Sequence, residues 1–157
     1  VLATIHRQEN TDDEEKLRSI FLGLEEIHKT HPVVLPIHPR TKEVLNTLSI
    51  NPKIQMIEPV GYYDMLELLK NCSMVITDSG GLQKEAFFNK KQCIVVRDET
   101  EWVELVSHGF AKLVGSNTKM ILQTFDTFKA TNKEFTVDLY GNNVGEKIYQ
   151  SIYQLIH

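Results

Sequence analysis

Two apolar segments of this sequence are each followed at once by histidine and arginine. His6 and Arg7 follow residues 1–5, and His38 with a second arginine follows residues 33–37. Imidazole and guanidinium groups can donate hydrogen bonds to phosphate or stabilise a leaving group, and a guanidinium can make two parallel bonds. Either pair alone could be structural. Their recurrence at two strand ends that should be neighbours favours an anion-binding site.

A third apolar segment, residues 74–77, is followed by Ser79, Gly80 and Gly81 where helical spacing begins. Glycine lets a ligand approach the backbone, and the free N–H groups and dipole of a helix start favour an anion such as phosphate. Glu85, one turn further along, is placed to accept hydrogen bonds from sugar hydroxyls. The GxxxxGK[ST] spacing of a Walker A loop is absent from this stretch.

The same residues have ordinary structural explanations. Asp78 or Ser79 could be a helix N-cap, with the glycines forming only a tight turn, and a phosphate site at the same place would be compatible with this. Arg7 could form a surface ion pair with Glu9, and one of residues 12–13 could cap the first helix.

Another arginine follows the apolar segment at residues 93–96. This residue, Arg97, is a further candidate for contact with phosphate, and several carboxylates and Trp102 come after it. We expect Trp102, the only tryptophan, to pack partly buried, although a ring at the mouth of a strand could also flank a sugar or a base.

Strand and helix patterns alternate along the whole chain. The predicted strands cover residues 1–5, 33–37, 54–57, 74–77, 93–96 and 112–114. The predicted helices cover residues 13–29, 41–48, 63–71, 82–89, 101–108, 119–131 and 144–156, the last after a connector at residues 131–143. This alternation predicts a doubly wound, Rossmann-like α/β domain with a parallel sheet of about six strands. Ligands bind such sheets at the carboxyl ends of the strands, where the candidate residues gather.

Composition excludes several classes of function. The 157 residues are 41% apolar and 24% charged, which is typical of one soluble globular domain. A net charge of −4 predicts neither a nucleic-acid partner nor an anionic membrane surface, although local donors can still bind a small anion. Cys72 and Cys93 lack CxxC spacing, which predicts reduced, buried thiols in a cytoplasmic protein. A first strand without an initiator methionine or leader predicts a domain from a longer chain.

Five motifs carry a resemblance to a known family. They are HRQEN at residues 6–10, PIHPR at 36–40, TDSGGLQKEA at 77–86, VVRDETEW at 95–102 and LYGNNVGEKI at 139–148. Their order and spacing resemble the non-hydrolysing UDP-N-acetylglucosamine 2-epimerases across essentially the whole chain. The resemblance covers the second of that family's two domains. It therefore implies the C-terminal half of a glycosyltransferase-B-like fold, in which the nucleotide sugar lies between two Rossmann-like halves.

The resemblance implies that this half chiefly binds UDP. Ser79, Gly80 and Gly81 would hold the diphosphate, and Glu85 would hold the ribose hydroxyls. Residues 62–66 would lie by the uracil, where backbone groups usually recognise the base. No cofactor and no metal ion are expected.

The resemblance also implies a reaction. His6 would lie near the diphosphate and the reacting sugar as the catalytic residue of this half, and Arg7, His38 and Arg97 would complete the contacts to UDP. In the family, the C2 proton is removed and UDP is eliminated to give a 2-acetamidoglucal. UDP then adds back with the opposite configuration at C2, which converts UDP-GlcNAc into UDP-ManNAc.

The family's acid and base carboxylates lie in the other domain, so we expect this chain alone to have little or no epimerase activity. Its expected partners are UDP, UDP-2-acetamido sugars, the missing N-terminal domain and a second copy in a full-length homodimer. The final helix at residues 144–156 is expected to pack toward that N-terminal domain. Two alternatives remain open at this stage: the nucleotide-binding half of a glycosyltransferase, and a non-catalytic binding module.

Two departures from the family pattern are notable. Trp102 and Val103 stand where the better-known branch has arginine and proline, so a phosphate contact is either missing or supplied by Arg97 or Arg7. This change could mark a branch that acts on a related sugar, such as UDP-L-FucNAc or another 2-acetamido sugar. Residues 140–143 are YGNN where relatives often have YGDG, which affects only local geometry.

Overall fold

The strands form a single parallel sheet in the part of the chain that the computed structural model describes, residues 1–131 and 133–156. They are β1 (Leu2–Thr4), β2 (Val34–Pro36), β3 (Gln55–Ile57), β4 (Val75–Thr77), β5 (Cys93–Val95) and β6 (Ala111–Leu113). Their order across the sheet is β3-β2-β1-β4-β5-β6, and every neighbouring pair is parallel. The order reverses between β1 and β4, which is the kind of position where open α/β sheets bind ligands.

Helices cover both faces of the sheet. In the described residues they are α1 (Gln8–Thr11), α2 (Glu14–His28), α3 (Pro39–Thr47), α4 (Tyr62–Asn71), α5 (Gly80–Phe88), α6 (Val103–Ser107), α7 (Thr118–Ala130) and α8 (Val144–Ile156). The first apolar core lies under α2, α3 and α7, and the second lies under α4, α5 and α6. Because both faces are covered, β1, β4 and β5 are buried at every position. The predicted doubly wound, Rossmann-like fold is confirmed.

Several helix starts differ from the prediction by one or two residues, among them that of α6 at Val103 instead of residue 101, and three differences have a clear physical reason. The short helix α1 was not predicted, because four residues are too few to show helical spacing. Helix α3 begins at Pro39 instead of residue 41, since His38 is its N-cap and proline suits the first turn. Helix α5 begins at Gly80 instead of residue 82, since Ser79 is its N-cap. The two glycines therefore form the first turn of a helix and not a loop before it.

Helix α8 stands apart from both cores. None of its described residues is buried, and its apolar side chains are exposed, among them Ile148, Tyr149, Ile152 and Leu155. The described residues of the connector at 131–143 contain no helix or strand, and Asn132 within it lies outside the described residues. Phe135, Leu139 and Tyr140 of the connector pack against the second core.

The two thiols differ in burial. Both Cys72 and Cys93 are free, but only Cys93 is buried, and Cys72 is partly exposed. Burial raises the pKa of both thiols, that of Cys93 strongly. Among the helices of residues 1–131 and 133–156, none is both long and apolar enough to span a membrane.

Candidate functional site

A cavity of about 320 Å³ opens where β1, β2 and β4 end, at the reversal in strand order. Most of the predicted site residues line it, namely His6, His38, Ser79, Gly81 and Glu85. The remaining lining residues are Thr4, Ile5, Pro36, Pro59, Val60, Met65 and Leu82. Polar groups from three strand ends thus face an apolar side formed mainly by the segment before α4 and its first turns.

The amino end of α5 opens onto this cavity. Ser79 caps the helix, since its Oγ accepts a hydrogen bond from the backbone N of Leu82 at 3.4 Å. A β-carbon added at Gly81 would meet only Ser79 Oγ, at 3.9 Å, so the space in front of Gly81 is open. A β-carbon at Gly80 would come within 3.0 Å of Glu101 Oε2, so only glycine fits there without displacing that side chain. The first turn therefore leaves backbone N–H groups free at the cavity, as an anion site requires.

Asp78 holds the turn after β1 against the end of β4. Its carboxylate is fully buried and accepts hydrogen bonds from the backbone N of His6 at 3.1 and 3.0 Å and from the backbone N of Arg7 at 3.0 Å. The Nδ2 group of Asn10 donates to the same carboxylate at 3.1 Å and to the carbonyl of Val96 at 3.0 Å. Sequence reasoning considered Asp78 only as a helix cap. Its position directly after β4 was the one available signal of a larger role.

The ring of His6 is oriented by the same carboxylate. Its Nδ1 lies 3.3 Å from Asp78 Oδ1, and the His6 and His38 ring centroids are 5.7 Å apart. A carboxylate at Nδ1 favours a proton on that nitrogen, which leaves the other ring nitrogen for a ligand. In residues 1–131 and 133–156, no three or more His, Cys, Asp or Glu side chains are grouped so that they could hold a metal ion.

His38 combines a structural position with a place in the cavity. Its Nδ1 accepts a hydrogen bond from the backbone N of Arg40 at 3.2 Å, which caps α3. The side chain of Arg40 donates through Nε to Thr11 Oγ1 at 3.0 Å and forms an ion pair with Asp12. These contacts hold the end of β2 beside the end of β1. The structural explanation that one of residues 12–13 caps the first long helix is confirmed, since Asp13 is the N-cap of α2.

Two predicted arginines, Arg97 and Arg7, are absent from the described lining of the cavity. Arg97 is only 6% exposed; its Nε donates to Glu9 Oε1 at 2.8 Å, and its Nη1 donates to Glu101 at 3.1 and 3.0 Å. Arg7 Nη2 lies 3.8 Å from Glu101 Oε1 and Glu9 pairs with Arg97, so within the described residues the surface pair considered between Arg7 and Glu9 is replaced by these two. The donors of Arg97 are directed at carboxylates. Arg7, with a side chain 42% exposed, is the arginine better placed to reach a ligand.

Two further residues flank the site. Of the predicted uracil segment at residues 62–66, Met65 in α4 lines the cavity. Pro59 and Val60, which precede that segment, line it as well. Trp102 is partly buried, as expected, and its indole Nε1 donates to the carbonyl of Gly80 at 2.7 Å. The indole therefore contacts the first turn of α5 on the side away from the cavity. Trp102 is not among the described residues that line the cavity.

Arg97→Met tests the structural role of the buried arginine. The pKa of Glu101 is lowered, first by hydrogen bonding from its own backbone N–H and then by Arg97. We expect the variant to lose about 1 kcal/mol of unfolding free energy at pH 7, because the bonds to Glu9 and Glu101 disappear while both carboxylates stay accessible to water.

This loss should depend on pH. Stabilisation from the lowered pKa of Glu101 is present above its unfolded value of about 4.5 and disappears as pH falls through the folded value. The difference between wild type and Arg97→Met, measured by urea unfolding, should therefore shrink below about pH 4.5. Arg18→Met, at an exposed pair with Glu14, is the control and should cost less at pH 7. A difference that stays constant or widens with acid would contradict this role.

Comparison with known proteins identifies the family. A family model described as UDP-N-acetylglucosamine 2-epimerase matches residues 1–153. The chain is 49% identical over 142 residues to a UDP-2,3-diacetamido-2,3-dideoxy-D-glucuronate 2-epimerase of Pseudomonas aeruginosa, covering 90% of this chain and 40% of that protein. It is 37% identical over 155 residues to a UDP-N-acetylglucosamine 2-epimerase of Methanocaldococcus jannaschii, covering 94% of this chain and 42% of that protein.

Solved structures agree with these relatives. A crystal structure of the Methanocaldococcus jannaschii UDP-GlcNAc 2-epimerase in complex with UDP-GlcNAc and UDP matches with a TM-score of 0.88 and 38% identity, covering 98% of this chain and 44% of that one. The Neisseria meningitidis UDP-GlcNAc 2-epimerase bound to UDP-GlcNAc matches with a TM-score of 0.78 and 32% identity, again covering 98% and 44%. The chain thus spans less than half of the length of these relatives. It belongs to the UDP-N-acetylglucosamine 2-epimerase family.

Proposed function

We propose that this chain is the C-terminal, nucleotide-binding half of a 2-epimerase and binds the UDP part of a UDP-2-acetamido sugar in the cavity at the ends of β1 and β4. The observation that carries this proposal is the amino end of α5 opening onto the same cavity as His6, His38 and Glu85. A helix start and two imidazoles suit a diphosphate, and a carboxylate one turn away suits ribose hydroxyls. The structural relatives crystallised with UDP or UDP-GlcNAc support the choice of ligand.

The diphosphate would bind at the first turn of α5. Its oxygens would accept hydrogen bonds from the free N–H groups of Gly80 and Gly81 and from the hydroxyl of Ser79, where the positive end of the helix dipole favours negative charge. Arg7, held beside Gly80 through Glu101, would add the nearest guanidinium. Arg97 would support the contact between Arg7 and the diphosphate indirectly, because it holds the Glu101 carboxylate beside which Arg7 lies.

The nucleoside would lie across the rest of the cavity. Glu85 stands one turn further along α5 and would accept hydrogen bonds from the ribose hydroxyls. Pro59, Val60 and Met65 form an apolar side against which the flat face of uracil can pack. Backbone groups of this segment would recognise the edges of the base.

His6 would act where UDP meets the sugar. In the elimination, the C2–H bond and the bond from C1 to the UDP oxygen both break, and UDP leaves with the bonding electrons. A proton or positive charge on His6, with Asp78 holding its ring, would stabilise the departing diphosphate. UDP then adds back across the double bond of the glucal, with the proton returned to the opposite face of C2. The carboxylates that remove and return this proton would belong to the other half of the enzyme.

The sugar would be a 2-acetamido sugar, either the UDP-GlcNAc and UDP-ManNAc pair or a related one. The relative that is 49% identical is named for a 2,3-diacetamido glucuronate, and the relatives near 37% identity are named for UDP-GlcNAc. Both substrates share the UDP part and the acetamido group at C2. The nucleotide cavity described above would serve either of them.

The partner of this half would be the N-terminal domain of the same enzyme. The exposed apolar side chains of α8 would pack toward that domain, since they contribute to neither core of this one. We further propose a homodimer for the full-length enzyme and a cytoplasmic location, in keeping with the free thiols.

Calorimetric titration of this chain tests the binding proposal. UDP should bind with a single site, and ADP should bind more weakly because a purine does not match the uracil subsite. Absence of UDP binding at millimolar concentration would reject the proposal in favour of a non-catalytic module.

The reaction is tested on the protein with both halves. UDP-GlcNAc and UDP-2,3-diacetamido-2,3-dideoxy-D-glucuronate should each be offered in D₂O. The true substrate should gain deuterium at C2 as its epimer forms. Sugar transfer to an acceptor without exchange at C2 would indicate a transferase instead. Turnover by this chain alone would show that the other half is not needed for the proton chemistry.

Glu85→Ala tests the ribose contact. Wild type should bind UDP about tenfold more tightly than 2′-deoxy-UDP, because the missing hydroxyl leaves a carboxylate without its donor. The variant should lose this preference, and its affinity should fall more for UDP than for 2′-deoxy-UDP, which keeps only the 3′-hydroxyl. Lys84→Ala, the neighbouring change on α5, is the control and should keep the preference. An unchanged preference in Glu85→Ala would show that Glu85 does not accept from the 2′-hydroxyl.

A further inference from the structure

Trp102 bonds to one specific peptide group at the start of α5. Its indole Nε1 donates to the carbonyl oxygen of Gly80 at 2.7 Å, and its own backbone N donates to Thr100 Oγ1 at 3.1 Å. The residue precedes α6 as its N-cap, so it belongs to the end of β5 and reaches sideways to the helix that follows β4.

The carbonyl of Gly80 and the N–H of Gly81 belong to the same peptide group. Gly80 lies buried on the side of Trp102, and Gly81 lines the cavity on the other side. A hydrogen bond to a carbonyl oxygen polarises its peptide group and strengthens the N–H of that group as a donor. The indole bond also adds a restraint at the start of the helix to a glycine-glycine peptide, which has few steric restraints of its own.

The indole is itself held by the helix to which it bonds. Lys84, one turn after Gly80, places its Nζ 4.6 Å from the centre of the Trp102 ring and 4.4 Å from that of Tyr140. Tyr140 meets Trp102 edge to face, with centroids 6.0 Å apart and planes at 88°. The ring therefore has contacts on its face and edge that set where its N–H points.

We propose that Trp102 is a positioning residue for the diphosphate: its indole N–H fixes and polarises the Gly80–Gly81 peptide so that the N–H of Gly81 faces the ligand. The inference rests on the proposed function, in which the diphosphate binds at this turn. It assigns to Trp102 an effect on phosphate binding without any contact to the ligand. Removing the N–H should therefore weaken ligands that carry the diphosphate and leave the nucleoside subsite unchanged.

Trp102→Phe removes the N–H and keeps an aromatic face for Lys84. We expect its affinity for UDP to fall about two- to threefold, less than the effect of one whole hydrogen bond because the Gly81 donor is weakened and not removed, while its affinity for uridine, measured by NMR titration, stays the same. Because Trp102 is the only tryptophan, a second protein can be made in a tryptophan auxotroph with the benzothiophene analogue of tryptophan, which keeps the bicyclic ring and lacks the N–H. It should show the same selective loss.

Tyr140→Phe is the matched control, since it removes a hydroxyl from the residue that packs on Trp102 and leaves both the ring contact and the indole N–H in place; its UDP affinity should equal that of wild type. With ¹⁵N-glycine labelling, the chain gives at most eight glycine amide signals. The Gly81 signal should move in Trp102→Phe before any ligand is added. Equal weakening of UDP and uridine, or unchanged UDP affinity in both altered proteins, would overturn the inference. Failure of wild type to bind UDP would instead reject the proposed function, while the Gly81 signal would still report on the hydrogen bond.

Discussion

Gly81→Leu is expected to weaken UDP binding by on the order of a hundredfold or more while the chain keeps its fold. A β-carbon at residue 81 would contact only Ser79 Oγ, at 3.9 Å, so a leucine side chain has room to enter the cavity. There it would occupy the space that the diphosphate needs and cover the free N–H groups of the first turn of α5. Calorimetry measures the affinity, and circular dichroism with thermal unfolding measures the fold.

Gly145→Leu is the matched control. Gly145 is the second residue of α8, as Gly81 is the second residue of α5, and a β-carbon there meets nothing within 4 Å. Both changes place leucine at the same position of a helix, so the cost to the backbone is similar, but only one of them fills the cavity. The control should bind UDP as wild type does. A folded Gly81→Leu protein with normal UDP affinity would show that the diphosphate binds elsewhere.

Asp78→Ala is expected to cost about 2–4 kcal/mol of unfolding free energy, because it leaves buried donors without an acceptor. The carboxylate is fully buried and accepts from the backbone N of His6 and Arg7 and from Asn10 Nδ2 at 3.0 to 3.1 Å. Any UDP affinity of the folded fraction should also fall, since the turn that carries His6 and Arg7 loses its anchor. Urea unfolding followed by circular dichroism gives the stability.

Two further substitutions isolate the cause. Asp78→Asn keeps the size of the side chain but has a single acceptor oxygen, so it should lose most of the same free energy. Asp126→Ala, at an exposed position of α7, should stay within about 0.5 kcal/mol of wild type. Equal stability of Asp78→Ala and Asp126→Ala would mean that the buried bonds are replaced by other contacts.

Although the edge strand β3 is largely exposed, most of the sheet was predictable because its central strands are short apolar runs that must be buried. The strand pattern at residues 74–77 and 93–96 shows this, since β4 and β5 are buried throughout. The short helix α1 was not predictable, because four residues are too few to show helical spacing. The starts of α3 and α5 were not predictable either, because they depend on capping by His38 and Ser79. A cap is one hydrogen bond between close residues, which the side-chain period of the helix does not reveal.

The gathering of His6, His38, Ser79, Gly81 and Glu85 around one cavity was also predictable, because parallel strands end at the same edge of the sheet. Their roles toward UDP remain predictions for the experiments above. The contacts of the arginines were harder to predict, because a guanidinium binds whichever carboxylates or phosphates the fold brings beside it. Arg97 meets Glu9, a residue 88 positions away, so its burial in an ion pair could not be seen from its own neighbourhood.

Local sequence was sufficient for the strands, for every described helix except α1 and for the family, since side-chain period and motif spacing are properties of short segments. The packed structure alone decided that Asp78 holds the turn after β1, that Arg97 supports Glu101, and that Trp102 bonds to Gly80. These contacts join residues from different strand ends, and a hydrogen bond exists only where atoms meet within about 3 Å. Which distant groups meet at that range is set by how the strands and helices pack.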